Sequence, residues 1–244
     1  MITFLTIPRP FTGEFDTLQR MAIASWQEST PGCNVILFGD DAEIRESGAP
    51  KVQNTYQCID SIDGEYGPAC SGVFEWAEQY ANRQWLCFCS ADVVLDFNAA
   101  ALLRLLSDID RPFVIGQRWD IEPDAAPGTA KLHPPCGVDY FLYRKGTIGD
   151  VLPFCVRGGG SDNWMVWKAL TAWNMTVIDA TNAIFAIHVN HSHPAWPNGK
   201  AGRQGSPEQA YNRKLYEADG MTTLLGVDAA PWVIRDGKLG RRSA

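Results

Sequence analysis

The sequence lacks any apolar run long enough to cross a membrane. A membrane-spanning helix needs about 20 consecutive apolar residues, and no stretch of the 244 residues approaches that length. The first residues, MITFLTIPRPFTGEF, also lack the basic start and the long apolar core of a signal peptide. These absences predict a protein of the cytoplasm without a membrane span.

Positive charge is also scarce, because 21 Lys and Arg against 28 Asp and Glu give a formal net charge of -7. A protein whose main partner is a nucleic-acid backbone usually carries a basic surface, so this class is disfavoured. The 7 cysteines follow no regular spacing, which indicates reduced thiols rather than a disulfide framework. Repeats and low-complexity tracts are absent, and the length suits one large α/β domain or two small ones.

The stretch WLCFCSADVVL, residues 85–95, is the strongest local signal. Its apolar, β-branched and aromatic residues predict a strand buried on both faces, as in the middle of a parallel sheet. Ser90, Ala91 and Asp92 interrupt it. Because an unpaired buried carboxylate is costly, we expect Asp92 at the carboxyl end of this strand, facing a cation or ligand. The alternative is that Asp92 caps the following helix or turn.

A strand, a helix and a second strand open the chain. Apolar residues fill 2–7 and 34–38, and apolar side chains recur at helical spacing between 18 and 26. This order predicts a right-handed βαβ unit and a parallel sheet. Asp40 and Asp41 follow the second strand at the same sheet edge as Asp92, where they contact a ligand or form a turn and a helix cap.

The second half of the chain offers further polar residues next to predicted elements. Residues 138–143 are strand-like and contain Asp139 and Tyr140. Three glycines at 158–160 precede a helix, where they allow the backbone to approach a ligand closely. Asp162 begins that helix as a stabilising first-turn acid, as a general base pointing into a cleft, or as both.

Three of the four histidines lie in one short segment, HVNHSH. His188, His191 and His193 come at the end of a strand-like run, and such a cluster indicates that at least one of them is functional. Their spacing does not define a Cys/His zinc site, so a further ligand must come from elsewhere in the chain. Residues 195–207 are rich in Pro, Gly, Asn and Ser and predict a long loop that is a candidate lid.

The ordered segments FLTIPRPF, QRMAIASW, VILFGDD, WLCFCSADVVL, VIGQRWD, HPPCGVDYFLY, SDNWMVWKA and AIHVNH resemble bacterial and phage glycosyltransferase-like proteins of the GT-A fold, of the family 2 type. The resemblance covers about residues 1–215. It implies a Rossmann-like α/β fold with a mixed, mainly parallel central sheet flanked by helices. We expect one domain, with a nucleotide-donor half at 1–110, an acceptor and catalytic half at 111–215, and a C-terminal hairpin extension at 216–244.

The resemblance also assigns a metal and a catalytic base. A short acidic motif after a central strand holds a divalent cation in that fold, and Ser90-Ala91-Asp92 occupies its place with Ser in the first position of the familiar Asp-x-Asp. Asp92 and His188 are thereby expected to bind Mn²⁺ or Mg²⁺, and the cluster supplies His191 and His193 as further candidate ligands. Asp162 matches the catalytic carboxylate of inverting members, although a Ser replaces the Glu of their Glu-Asp pair.

The remaining expected contacts divide between donor and acceptor. Donor contacts are assigned at eight positions: Thr6, Pro8, Asp40, Asp41, Ser90, Ala91, Asp92 and Arg118. Of these, Arg118 is interpreted as a contact to the diphosphate or a sugar hydroxyl, or as a surface ion pair. The acceptor side is expected to involve Asp139, Tyr140 and Trp164.

The function predicted from these residues is metal-dependent transfer of a sugar from a nucleoside-diphosphate sugar, with a UDP-sugar favoured, to an acceptor hydroxyl. A glycan, a lipid-linked sugar, a small molecule or a modified nucleobase would each fit as the acceptor. One alternative is a relative that binds nucleotide or sugar without transfer, since two expected acids are missing. Another is a metal-dependent hydrolase built on the histidine cluster. A sugar nucleotidyltransferase is disfavoured, because the glycine-rich basic loop expected after Ile7 is absent.

Overall fold

The computed structural model describes residues 1–39, 54–57, 69–126, 128–156, 158–192 and 204–243. Three predicted site residues, Asp40, Asp41 and His193, lie outside the described residues. Most of the predicted lid at 195–207 lies outside them as well.

The described elements are thirteen strands, five α-helices and one short 3-10 helix. The strands are β1 (Ile2–Thr6), β2 (Asn34–Phe38), β3 (Asn54–Gln57), β4 (Trp85–Cys89), β5 (Val93–Asp96), β6 (Pro112–Ile115), β7 (Arg118–Ile121), β8 (Lys131–Leu132), β9 (Tyr140–Arg144), β10 (Thr176–Asp179), β11 (Phe185–Val189), β12 (Trp232–Arg235) and β13 (Lys238–Arg241). The helices are α1 (Gly13–Ser29), α2 (Cys70–Tyr80), α3 (Ala99–Leu105), α4 (Ser161–Thr171), α5 (Pro207–Ala218) and the 3-10 helix Val227–Ala229. In the part of the chain that is described, no helix has the length and apolar content of a membrane span.

A nine-stranded sheet forms the centre of the protein, in the order β13-β12-β10-β6-β9-β4-β1-β2-β3. β9 runs antiparallel to both of its neighbours, and β12 and β13 form an antiparallel pair. The other neighbouring strands are parallel. The predicted mixed, mainly parallel sheet of an α/β protein is confirmed.

Helices cover both faces of this sheet because its strands are apolar on both sides. In β9, Tyr140 and Leu142 pack in the cluster that also holds residues of α1 and α3. The alternate residues Phe141 and Tyr143 pack on the opposite face with residues of α2 and α4. Successive side chains of a strand point to opposite faces, so the continuous apolar run serves both layers.

A second sheet of four short strands has the order β5-β11-β7-β8. β11 lies antiparallel to β5 and parallel to β7, which in turn pairs with β8 in antiparallel fashion. Its strands are less buried than β1, β2 and β6 of the central sheet: every residue of β7 is half-buried, and both residues of β8 are exposed.

The predicted buried strand is β4, and Asp92 follows its carboxyl end as expected, whereas the rest of the stretch forms a separate strand in the other sheet. Residues 90–92 form a turn, in which the Val93 amide donates to the Ser90 carbonyl oxygen at 3.2 Å. The second half of the stretch then joins the small sheet as β5. The side chain of Trp26 in α1 bonds to this strand, since its Nε1 donates to the Val93 carbonyl oxygen at 2.9 Å.

The C-terminal hairpin of β12 and β13 turns at Asp236 and Gly237, and both residues have positive φ. The hairpin is continuous with the central sheet, because β12 pairs in parallel with β10. Beyond it, Arg242 donates through Nη2 to Asp179 Oδ2 at 2.6 Å. This ion pair connects the end of the described chain to the last residue of β10.

Candidate active site

Strand pairing in the small sheet brings one aspartate and two histidines together. Asp92 directly precedes β5, and the antiparallel register places His188 of β11 opposite Val93. His191 follows two residues after β11 ends. Asp92 therefore meets two histidines that lie almost a hundred positions later in the chain, at the point where the chain leaves β4.

The ligand atoms of these three side chains are close enough to share one cation. His191 Nε2 lies 2.9 Å from Asp92 Oδ2, and His188 Nε2 lies 3.8 Å from the same oxygen. The two Nε2 atoms are 3.3 Å apart. Within the described ranges, this is the group of His, Cys, Asp and Glu side chains whose potential ligand atoms lie within 4.8 Å of one another. We call it the Asp–His–His centre.

The charges of the Asp–His–His centre suit a cation. Burial on its own raises the pKa of Asp92, but the hydrogen bond from His191 and the nearby His188 outweigh it and bring that pKa to about 2. Burial lowers the pKa of His188, whereas the hydrogen bond to Asp92 raises the pKa of His191. An ionised carboxylate and a neutral imidazole are the forms that ligate metals, so two of the three groups are already in that state.

A second aspartate, Asp120, lies on the other side of the His188 ring from Asp92 and His191. Asp120 lies opposite His188 in the parallel pairing of β7 and β11, and its Oδ1 is 3.4 Å from His188 Nδ1. Arg118 Nε donates to Asp120 Oδ1 at 2.8 Å, and His133 Nδ1 lies 2.5 Å from Asp120 Oδ2. Burial raises the pKa of Asp120, but His133 and Arg118 more than offset this effect, so the carboxylate stays ionised. The sequence analysis identified neither Asp120 nor His133, because a single acid or histidine in a polar segment carries no distinguishing pattern.

Arg118 forms ion pairs with two carboxylates. Besides Asp120, its Nη1 contacts both oxygens of Asp139 at 2.8 and 2.9 Å, and only 11% of its side chain is exposed. Of the two interpretations of Arg118, the structure shows the ion pair, although a partly buried one. Asp139 also lies beside Ser90, whose amide donates to the Asp139 carbonyl oxygen at 2.9 Å and whose Oγ is 3.5 Å from Asp139 Oδ1. The Asp139 carboxylate therefore lies next to Ser90.

Asp162 lies in the first turn of α4 and faces the segment that enters β9. Its Oδ2 accepts from the Val138 amide at 3.5 Å, and Val138 is the residue before Asp139. The neighbouring Asn163 holds this arrangement, since its Nδ2 donates to the Cys136 carbonyl oxygen at 2.9 Å. The placement is compatible with both predicted roles of Asp162, as a helix-stabilising acid and as a base.

The glycines before α4 serve helix packing in this structure. A Cβ on Gly158 would lie 2.4 Å from Asn212 Nδ2, and one on Gly160 would lie 2.9 Å from the ring of Tyr216. Both contacts are made with α5, and Gly160 also has a φ of +78°. These glycines allow α5 to approach the start of α4. The space beside them is occupied by α5, whereas the sequence led us to expect a ligand there.

Four other predicted contacts are buried. Thr6 ends β1 with its Oγ1 buried and with no hydrogen-bond partner among the described residues, and Pro8 is buried in the loop that follows. Tyr140 and Trp164 are fully buried, and Trp164 Nε1 donates to Asp219 Oδ2 at 2.8 Å. Tyr140 and Trp164 therefore pack in the core, and their acceptor-side contact stays a prediction.

Comparisons with known proteins were made with the sequence and with the structure. No model of a protein family matches the sequence, and no curated protein matches it. A candidate nucleotide-diphospho-sugar transferase from Desulfovibrio desulfuricans G20 is structurally similar, with a TM-score of 0.44 and 15% identity over 89% of this chain and 96% of its own.

HddC from Yersinia pseudotuberculosis is also similar, with a TM-score of 0.37 and 11% identity over 60% of this chain and 77% of its own. A structure of HddC complexed with GMP-PN gives a TM-score of 0.39 and 12% identity over 60% and 78% of the two chains. Likeness at this level adds no support to a function, so the interpretation depends on the geometry of this chain.

Proposed function

We propose that the protein is a metal-dependent glycosyltransferase that uses a nucleoside-diphosphate sugar. The observation that supports this function is the Asp–His–His centre at the carboxyl end of β4. In open α/β sheets this edge is where ligands bind. The centre joins the residue that the sequence places in an acidic metal motif, Asp92, to the histidine expected as its partner, His188.

The donor set of the centre suits Mn²⁺ better than Mg²⁺. Asp92 provides a carboxylate oxygen, and His188 and His191 provide imidazole nitrogens, whereas Mg²⁺ is held mainly by oxygen ligands. When bound, a divalent cation supplies positive charge that offsets the charge of the departing nucleoside diphosphate. Ser90 and Ala91 lie beside the centre in the same turn, and the predicted contacts of Thr6, Pro8, Asp40 and Asp41 to a UDP-sugar belong to this proposal.

Asp162 is the proposed base of an inverting reaction. The acceptor hydroxyl oxygen forms a bond to the anomeric carbon as the bond from that carbon to the diphosphate oxygen breaks. The hydroxyl proton passes to the carboxylate of Asp162, and the nucleoside diphosphate leaves with the bonding electrons. The position of Asp162 beside the segment that carries Asp139 supports this role. A glycan, a lipid-linked sugar, a small molecule or a modified nucleobase would each provide the hydroxyl.

Calorimetric titration with UDP and with GDP, each with and without Mn²⁺, tests the donor site. We expect UDP to bind only with Mn²⁺, and this binding to be lost in Asp92→Ala. Asp96→Ala is the matched control, because Asp96 is an exposed carboxylate at the far end of β5. If neither nucleotide binds to the wild-type protein under any of these conditions, the proposal fails.

A second experiment separates transfer from binding. Asp162→Asn is expected to retain Mn²⁺-dependent UDP binding and to lose transfer of sugar to any acceptor that the wild type uses. Wild-type binding without turnover would favour the non-catalytic alternative, which is consistent with Ser90 and with the commitment of Arg118 to two carboxylates.

The hydrolase alternative has one observation in its favour, which is that His191 completes a centre of three protein ligands. Catalytic zinc sites commonly use three protein ligands and leave one position for water. Zn²⁺-dependent hydrolysis of a phosphoester without a nucleotide would support this alternative. Absence of hydrolysis in a protein that transfers sugar would exclude it.

A further inference from the structure

His188 meets a carboxylate at each of its two ring nitrogens. Its Nε2 faces Asp92 and His191 in the Asp–His–His centre, and Asp120 Oδ1 lies 3.4 Å from its Nδ1. His188 is only 4% exposed, and its Nδ1 is buried and makes no hydrogen bond with any residue that the structure describes. A buried polar atom without a hydrogen bond is unfavourable, and the Asp120 carboxylate, 3.4 Å away, is an acceptor within reach of it.

The sheet fixes Asp120 in this position. β7 and β11 pair in parallel with Asp120 opposite His188 and Arg118 opposite Ala186, so the side chains of Arg118, Asp120 and His188 share one face of the small sheet. Arg118 Nε donates to Asp120 Oδ1, and His133 Nδ1 lies within hydrogen-bond distance of Asp120 Oδ2. The carboxylate is therefore oriented before any ligand binds.

Asp120 is not a fourth ligand in this arrangement. Its Oδ1 lies on the Nδ1 side of the His188 ring, whereas the atoms that converge on a shared point are the two Nε2 atoms and the Asp92 oxygen. An imidazole that binds a metal through Nε2 carries its proton on Nδ1. An acceptor at Nδ1 fixes that tautomer, orients the ring and makes Nε2 a better ligand.

We propose that Asp120 is a positioning residue of the metal site, which accepts the Nδ1 proton of His188 in a hydrogen bond when Nε2 binds a divalent cation. This inference depends on the metal site of the proposed function. His133 and Arg118 support Asp120, and the contact of Arg118 with Asp139 connects the same network to the segment beside Asp162. The sheet pairing that presents His188 thus also presents the group that orients it.

Binding of Mn²⁺ alone, measured by calorimetry on wild type, Asp120→Asn and Asp96→Asn, tests the role of Asp120. The amide of Asn keeps the shape of the side chain but loses the charge. We expect Asp120→Asn to weaken Mn²⁺ binding about 10- to 100-fold, the usual effect of losing such a partner. Asp96→Asn removes the same charge from an exposed position of the small sheet and is expected to leave the affinity unchanged.

The visible absorption spectrum of bound Co²⁺ provides a readout that a general loss of stability does not change. We expect the Co²⁺ bands of Asp120→Asn to shift in position and intensity, while thermal unfolding of the metal-free protein shows that the variant is folded. His133→Gln removes one support of Asp120 and is expected to change affinity in the same direction by a smaller factor. If Asp120→Asn does not fold, the affinity and Co²⁺ spectrum of His133→Gln decide the question.

The outcomes separate this inference from the proposed function. If wild type binds neither Mn²⁺ nor Co²⁺, the metal site itself is wrong. If wild type binds and Asp92→Ala does not, while folded Asp120→Asn keeps the wild-type affinity and Co²⁺ spectrum, only the role of Asp120 is overturned. A weaker affinity with a changed spectrum, and an unchanged Asp96→Asn, supports the proposal.

Discussion

The central sheet and the small sheet differ in what covers their faces. Every residue of β1, β2 and β6 is buried, and helices pack on both sides of these strands. One face of the small sheet instead carries charged and titratable side chains, among them Asp120 and His188. The difference indicates that the central sheet supplies most of the stability, whereas the small sheet holds the side chains of the proposed metal site.

A cavity in the central sheet is expected to have the largest effect on stability. Phe113 in β6 is fully buried and stacks on Phe141 with ring centroids 5.5 Å apart. Phe113→Ala should lower the free energy of unfolding by about 3–5 kcal/mol, because the lost contacts leave a cavity. Urea unfolding measures this change, and Mn²⁺ affinity of the folded variant should stay near that of wild type. A loss well below 1 kcal/mol would mean that this sheet does not dominate stability.

Removal of a proposed metal ligand from the small sheet is expected to weaken Mn²⁺ binding strongly and to change stability less than Phe113→Ala does. His188→Ala should weaken Mn²⁺ binding by more than about 100-fold, since losing a ligand exceeds the cost of losing its hydrogen-bond partner. Calorimetry measures the affinity, and urea unfolding of the metal-free protein serves as the control. A variant that loses as much stability as Phe113→Ala would show that the two sheets do not divide these roles.

Loss of a hydrogen bond that connects α1 to the small sheet is expected to lower the free energy of unfolding by an intermediate amount. Trp26 is fully buried, stacks on Phe4 at 5.2 Å and donates from Nε1 to the Val93 carbonyl oxygen of β5. Trp26→Phe keeps a ring but leaves that buried carbonyl without its partner, which should cost about 1–3 kcal/mol. Hydrogen exchange and urea unfolding would locate and measure the loss. Faster exchange confined to the strands around β4, with β5 unaffected, would contradict this role of the indole.

The two sheets also differ in how well the sequence predicts them. Long apolar runs such as residues 34–38 indicate buried strands directly, and the helical spacing that ends at Trp26 indicates the side of α1 that packs. The run at 85–95 misleads because both of its halves are apolar, and only the turn at 90–92 assigns them to different sheets.

The candidate site was predictable in part for a similar reason. The cluster containing His188 and His191 stands out locally, and Asp92 stands out as an acid within an apolar stretch. What places Asp120 behind His188 is the register of β7 against β11, which links residues 68 positions apart and leaves no local pattern. A site that depends on strand register between short, half-polar strands is therefore the part of this protein that sequence patterns describe least.

The smallest expected effect concerns pH, because protons would compete with a cation for the proposed ligands in the small sheet. Asp92, with a pKa of about 2, is ionised over the whole neutral range, and the lowered pKa of His188 keeps that imidazole neutral. His191 is the remaining ligand, and its hydrogen bond to Asp92 raises its pKa. Metal binding must displace that proton, so Mn²⁺ affinity should fall about tenfold per pH unit as pH drops below the His191 pKa.

Folding of the metal-free protein should respond to pH with the opposite sign. A raised pKa in the folded state means that the His191–Asp92 pair stabilises the protein fully below the unfolded histidine value of about 6.5, and that this stability is lost as pH rises through the folded pKa. His191→Gln should remove both dependences. Calorimetry and urea unfolding across this pH range test the pair together. If both quantities rose with pH in wild type, the proton on His191 would not be shared with Asp92, and the Asp–His–His centre would need a different assignment.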